Sequence, residues 1–188
     1  MPQESHPAPS KEPDAQAGRL IVGLAALALS AAGLVCLYFP PAPLPRGIHV
    51  DLVMVHKSTR RMDVYAHGSE LRSYVISLGH DPVGPKRREG DHRTPEGRYV
   101  IDQHNPHSAF HRSLHVSYPS AADAARARAD GYPPGGEIMI HGMRNGGGWL
   151  GRLHLIYDWT DGCIAVTDPE MDELYRIVPD GTPIVIRP

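Results

Sequence analysis

The chain has 188 residues, with 19 Lys and Arg against 21 Asp and Glu and a formal net charge of -2. That length fits one domain plus a tail, and the near balance of charge removes the electrostatic case for nucleic-acid binding, which needs a clustered basic excess. Glycine and proline, 19 of each, exceed ordinary usage without a collagen period, so many turns and short strands are expected, and two cysteines, Cys36 and Cys163, are too few for a disulfide scaffold.

Residues 1–19 form a polar tail. From Leu20 to Phe39 the run LIVGLAALALSAAGLVCLYF contains no charged residue. As a helix it spans about 30 Å, the thickness of a bilayer core. The small-residue patterns Ala26-Leu27-Ala28 and Ser30-Ala31-Ala32 fall inside the run, not after it, which favours an uncleaved anchor over a cleaved signal peptide. Cys36 reads there as a small apolar residue in lipid. Lys11 and Arg19 precede the run and Arg46 is the first cation after it, so a short cytoplasmic tail with the C-terminal part exported is expected. Pro40 to Arg46 is proline-rich and favours an extended, stiff spacer. The remaining 47–188 is one domain whose single cysteine, Cys163, has no intrachain partner in an oxidising compartment.

Within that domain Ile48 to His56 sets Val50, Leu52 and Met54 against Asp51. Met62 to Tyr65 and, after the His67-Gly68-Ser69 turn, Leu71 to Ser77 continue the short-strand pattern, so a meander is predicted. Arg98 to Asp102, Leu114 to Ser117 and Glu137 to His141 are further strands. The Ala-rich stretch opening at Ser120 and ending at Gly131 reads as a helix, with Asp123 near its start and Arg126 and Arg128 near its end. A second helix begins at Thr167-Asp168-Pro169-Glu170, a Thr-x-x-Glu cap, with Met171, Leu174, Tyr175 and Val178 on its core face. The fold class is mainly β with short helices.

The densest chemical signal lies between Ile138 and Val166. A strand delivers His141-Gly142, a loop with Gly146, Gly147 and Gly148 follows, and the chain returns to Asp161-Gly162-Cys163 at the head of the strand Ile164 to Val166. A nucleophilic cysteine needs a base, which histidine on a neighbouring strand can supply, and Gly162 lets the chain bend so that backbone N–H groups meet an oxyanion. The competing reading, Cys163 as a buried small hydrophobe, stands level with this one on chemistry alone.

His141-Gly142 followed by Thr160-Asp161-Gly162-Cys163-Ile164, with Gly90-Asp91-His92-Arg93-Thr94-Pro95-Glu96-Gly97 upstream, resembles the L,D-transpeptidase family, the YkuD domain. The resemblance runs over nearly all of Ile48 to Ile186. It implies a YkuD-type, β-sandwich-like catalytic domain with Cys163 as nucleophile and His141 as its proton partner. The Gly142 carbonyl would hold the imidazole, and the N–H groups of Gly162 and Cys163 would form the oxyanion hole. The implied substrate is the meso-diaminopimelate carbonyl of a peptidoglycan stem peptide, without a cofactor. Asp161 stands where most of the family has histidine, and with Phe110 to Pro119 it resembles the YafK-like branch. That branch implies cleavage of the link between murein and an outer-membrane lipoprotein in preference to cross-link formation. With the anchor and orientation read above, a periplasmic domain on the inner membrane is expected; a murein-binding module without catalysis is the other class.

Further candidates are substrate-binding. Arg144 suits a substrate carboxylate, Trp149 and Trp159 suit cleft walls, His154 suits loop orientation or substrate contact, and Asp161 suits tuning of His141 or Cys163. Lys86, Arg87, Arg88 and Arg93 form a basic cluster suited to an anionic polymer. The spacings of His104, His107, His111 and His115, and the set His141, His154 and Cys163, admit metal ligation, but they lie in loops and strands and no metal is expected.

Overall fold

The structure, a computed structural model, describes residues 42–188. The expected tail and membrane segment lie outside the described residues, as do Pro40 and Pro41 of the spacer. Among the described residues no helix is long and apolar enough to cross a membrane.

Local turn chemistry builds the first three strands, β1 (Leu52–His56), β2 (Arg61–Ala66) and β3 (Ser69–Val75), as the antiparallel meander expected. His67 and Gly68, at φ 51° and 77°, form the two-residue turn whose twist suits a hairpin. β4 (Gly97–Asn105), β5 (Ser113–Val116), β6 (Met139–His141), β7 (Ile164–Ala165) and β8 (Pro183–Arg187) complete a sheet of order β3-β2-β1-β8-β4-β5-β6-β7. β8 was not among the expected strands, although Ile184 and Ile186 alternate inward and Pro183 occupies the first strand position, where a missing N–H is tolerated. It inserts between β1, to which it is parallel, and β4, to which it is antiparallel.

This is one curled sheet and not the sandwich the resemblance implied. β4 pairs with β8 through Gly97–Val100 and with β5 from Ile101 onward, with a register shift between Ile101 and Gln103, so the sheet turns a corner along a single strand. The chain leaving β3 then bridges to the opposite end: Ser77 and Ala165 exchange backbone hydrogen bonds at 3.0 and 2.9 Å, and Thr160 N–H donates to Leu78 O at 3.1 Å. The two ends of the sheet are tied together.

Inside the curl lie Val53, Val55, Met62, Val64, Ile101, Leu114, Ile140, Ile164 and Ile184, all fully buried. The alternation read for β1 was out of phase, since Val53 and Val55 point into the core while Leu52 and Met54 are only half-buried. The run Leu-Val-Met-Val is apolar on both faces, so hydropathy alone does not choose a side. Helix α1 (Ala121–Ala129) carries the Ser120 and Asp123 capping box, and α2 (Asp168–Ile177) is capped by the Glu170 carboxylate, which accepts from Thr167 N–H at 3.0 Å and Oγ1 at 2.7 Å. Met171, Leu174 and Ile177 of α2 are buried over β5 and β6, while Tyr175 lies half-buried beside them. The spacer end is extended, as its prolines dictate, yet it lies against the domain: Arg72 donates to Ala42 O at 2.6 Å, Arg176 donates to Leu44 O at 2.9 Å, and Leu44 N–H bonds the Glu173 carboxylate.

Lys57, at the end of β1, is 2% exposed. Its ammonium donates to Thr94 O at 2.9 Å, to Glu96 Oε1 at 2.8 Å and to Gly84 O, pinning the 84–96 loop to the sheet. Burial lowers its pKa, opposed by Glu96. Lys57→Met keeps the stem but leaves Glu96 and two carbonyls without their donor, and is expected to cost about 3–5 kcal/mol. The check is urea unfolding of the full chain, where the midpoint should fall while the m-value holds.

Candidate active site

His141 ends β6 and Cys163 directly precedes β7. The two strands are parallel, with Ile140 opposite Ile164 and His141 opposite Ala165. β5 flanks β6 on its other side, with Ser113 opposite His141. Two ladders therefore set the height of the imidazole, and one of them sets the thiol. Both residues line a cleft of about 360 Å³ together with Phe110, Glu137, Trp159 and Asp161.

The imidazole is held from behind. His141 Nδ1 lies 2.7 Å from Gly142 O. A carbonyl only accepts, so Nδ1 carries the proton and Nε2 is left as a base. Gly142 N–H donates to Phe110 O at 3.2 Å, and a β-carbon on residue 142 would meet Asp168 Oδ1 at 2.6 Å, so glycine is required by close approach. The Phe110 ring (4.6 Å between centroids) and the Trp159 ring (5.6 Å) bury His141, and that burial pushes its pKa below the ordinary imidazole value against the Gly142 hydrogen bond. At neutral pH the ring is an uncharged base.

The thiol is held in its neutral form. Burial pushes the Cys163 pKa up; the Met139 N–H opposes this, and the Asp161 and Glu137 carboxylates reinforce it. The S–H donates to Glu137 O at 3.4 Å. Both shifts favour the uncharged forms of the two side chains.

Thr160 shapes the turn between them and the solvent. Its Oγ1 donates to Cys163 O at 2.8 Å and accepts from Gly162 N–H at 3.2 Å. Of the two donors expected for an oxyanion, the Gly162 N–H thus has a protein partner, and the Cys163 N–H has none among the described residues. Gly162 itself is needed for its φ of 127° and for its approach to Arg93 O, 2.6 Å from where a β-carbon would sit.

The remaining candidates divide. Trp159 reaches the cleft and braces His141. His154 does not line it: the ring is buried behind Trp159, whose Nε1–H donates to His154 Nδ1 at 3.3 Å, and burial pushes its pKa down to about 4, so it is a neutral prop. Arg144 and Trp149 are exposed and outside the lining, because the 3-10 turns of Gly148–Ile156 carry that loop away with a break at Gly151. Asp161 sits at the cleft mouth, 2.8 Å from His92 Nδ1. The histidines read as a metal set go separate ways: His104 pairs with Asp180, His111 with Asp172 and His115 with Asp102, and His107 lines the cleft. Half of the basic cluster is paired, Lys86 with Asp91 and Arg93 with Asp81. Phe110, Glu137 and Asp168 were not singled out from the sequence for this site, since they act through ring stacking, a carbonyl and a loop contact that have no motif.

Residues 50–186 match the L,D-transpeptidase catalytic domain. The chain belongs to the L,D-transpeptidase catalytic domain family. YafK of Escherichia coli (strain K12), a protein assigned to the L,D-transpeptidases, is 32% identical over 133 residues, which cover 67% of this chain and 46% of YafK. The chain thus spans about half the length of the curated relatives it matches. Among solved structures, the helical cell shape determining protein Pgp2 from Campylobacter jejuni superposes with a TM-score of 0.57 at 25% identity, over 76% of this chain and 49% of Pgp2. Bd1075 of Bdellovibrio bacteriovorus, at 21% identity and a TM-score of 0.52 over 77% of this chain and 50% of its own, shares the fold.

A neutral resting thiol predicts a specific labelling profile. In a Cys36→Ala background, the rate of Cys163 alkylation by iodoacetamide should rise with pH through a midpoint above that of the same chain unfolded in urea. A native midpoint at or below the unfolded one would mean that the thiolate is stabilised at rest.

Proposed function

We propose that this chain is a cysteine acyltransferase or hydrolase acting on meso-diaminopimelate L,D bonds of peptidoglycan stem peptides. The observation that carries it is the pairing of β6 with β7, which opens a thiol and an oriented, uncharged imidazole onto one cleft. As the thiol attacks the substrate carbonyl, His141 Nε2 takes its proton. The oxygen of the tetrahedral intermediate gains its charge at the Cys163 N–H, and collapse expels the amine, which recovers the proton from His141. The thioester then goes to water or to a second amine.

The cleft wall supports a cationic substrate. Glu137 and Asp161 line it and, among the described residues, no Lys or Arg does. An ammonium-bearing diaminopimelate fits that field better than a substrate carboxylate clamped by Arg144. Asp161, standing where most of the family has histidine, is our ground for taking water as acceptor, and so cleavage of the murein-to-lipoprotein link over cross-link formation. The domain acts in the periplasm, on an anchor formed by residues 20–39.

Muropeptide analysis of peptidoglycan sacculi, with and without bound lipoprotein, tests this with the full chain in detergent. Wild type should release lipoprotein, and Cys163→Ala and His141→Ala should fall to background; no change in any muropeptide would refute the assignment. The pH profile follows from the two shifts. His141 must be unprotonated to act, and its lowered pKa keeps it so; activity should hold through neutrality and fall only as pH drops through a value below that of ordinary imidazole.

A further inference from the structure

Three side chains from distant parts of the sequence meet on the outer side of the Cys163 turn. One ring nitrogen of His80, one of His92 and one carboxylate oxygen of Asp161 all lie within 4.8 Å of one another. Such proximity is common on protein surfaces, but the backbone beneath these three is not ordinary surface. His80 N–H donates to Thr160 O at 3.0 Å, and Asp81 N–H donates to His92 O at 3.2 Å. Gly79 passes so near the third segment that a β-carbon there would sit 2.0 Å from His92 O. The three positions are thus fixed to one another by main chain.

The side chains are aimed as well. His80 Nδ1 lies 2.9 Å from Thr160 O, so it carries the ring proton and leaves Nε2 with a lone pair, the outer-shell arrangement that ligating histidines use. His92 adopts a φ of 52°, uncommon for a residue with a β-carbon, and this turns its ring edge-on to His80, 5.7 Å between centroids at 80°, with Nδ1 2.8 Å from Asp161 Oδ1.

We propose that His80, His92 and Asp161 form a three-ligand site for a divalent transition-metal cation, best matched to Zn²⁺, at the mouth of the Cys163 cleft and with a fourth position open. Two imidazoles and a carboxylate are a zinc donor set, and bond lengths of about 2.0–2.2 Å require only small side-chain rotations from the present spacing. On binding, the ion takes the place of the proton between His92 Nδ1 and Asp161: with the ring neutral, that proton moves to Nε2, leaving the Nδ1 lone pair and the carboxylate to the metal. The site shares Asp161 with the wall of the Cys163 cleft.

Titration of the full chain in detergent with Zn²⁺, against a competing chromophoric chelator, tests the site without any activity readout. One ion per chain is expected, with affinity reduced at least about 10-fold in His92→Gln and in Asp161→Asn. Cys163→Ala, which removes the strongest zinc-seeking group nearby, should bind unchanged. Thermal melts report whether each variant is folded; if His92→Gln is not, His80→Gln, whose backbone is not left-handed, carries the same expectation. No saturable binding at micromolar Zn²⁺, binding that survives in the double variant His80→Gln/His92→Gln, or binding lost in Cys163→Ala would each overturn the proposal.

Discussion

The structure depends on the seam where the sheet meets itself. β7 is two residues long and could not hold a position alone; it is clamped by β6 on one side and by Ser77 on the other. Cys163 sits at the head of that clamped strand, so the hydrogen bonds that close the curl also place the sulfur beside the strand that ends in His141. Gly79 and Gly162 are the points of closest approach along the seam, each facing a backbone carbonyl that would collide with a β-carbon. Closure and catalytic geometry are one constraint, met by the same main chain.

The electrostatics follow from where the seam lies. It is deep enough to desolvate both groups, and desolvation penalises thiolate and imidazolium alike. A neutral pair avoids holding a buried charge. Phe110, Trp159 and, behind them, His154 form a stack that keeps the imidazole dry without adding charge. The mouth is the opposite, an exposed rim with Asp161, Glu137, His80 and His92.

Much of this was legible in the residues. The meander was readable from β-branched runs and the His67-Gly68 turn, both helices from their caps, and the candidate pair from His141-Gly142 and Gly162-Cys163. Three readings failed for physical reasons. The phase of β1 failed because its apolar residues are continuous; the sandwich failed because a corner within β4 and a bridge at Ser77 are long-range events; and Arg144 and Trp149 failed because adjacency in a glycine-rich loop says nothing about direction once Gly151 breaks the turn. The hydrogen bond from Gly162 to Thr160 was likewise invisible, since a threonine two residues away reads equally as motif or as turn clamp.

The sequence by itself determined the class of fold, the limits of the helices and the identity of a cysteine with no partner of its own kind in its domain, because these rest on periodicity, capping and composition, which act over a few residues. Only the tertiary structure decided which N–H beside Cys163 is left without a protein partner among the described residues, that burial disfavours the charged forms of thiol and imidazole, and that His80, His92 and Asp161 meet. Those outcomes depend on burial and on contacts between residues as many as 81 positions apart, and no local pattern carries that information.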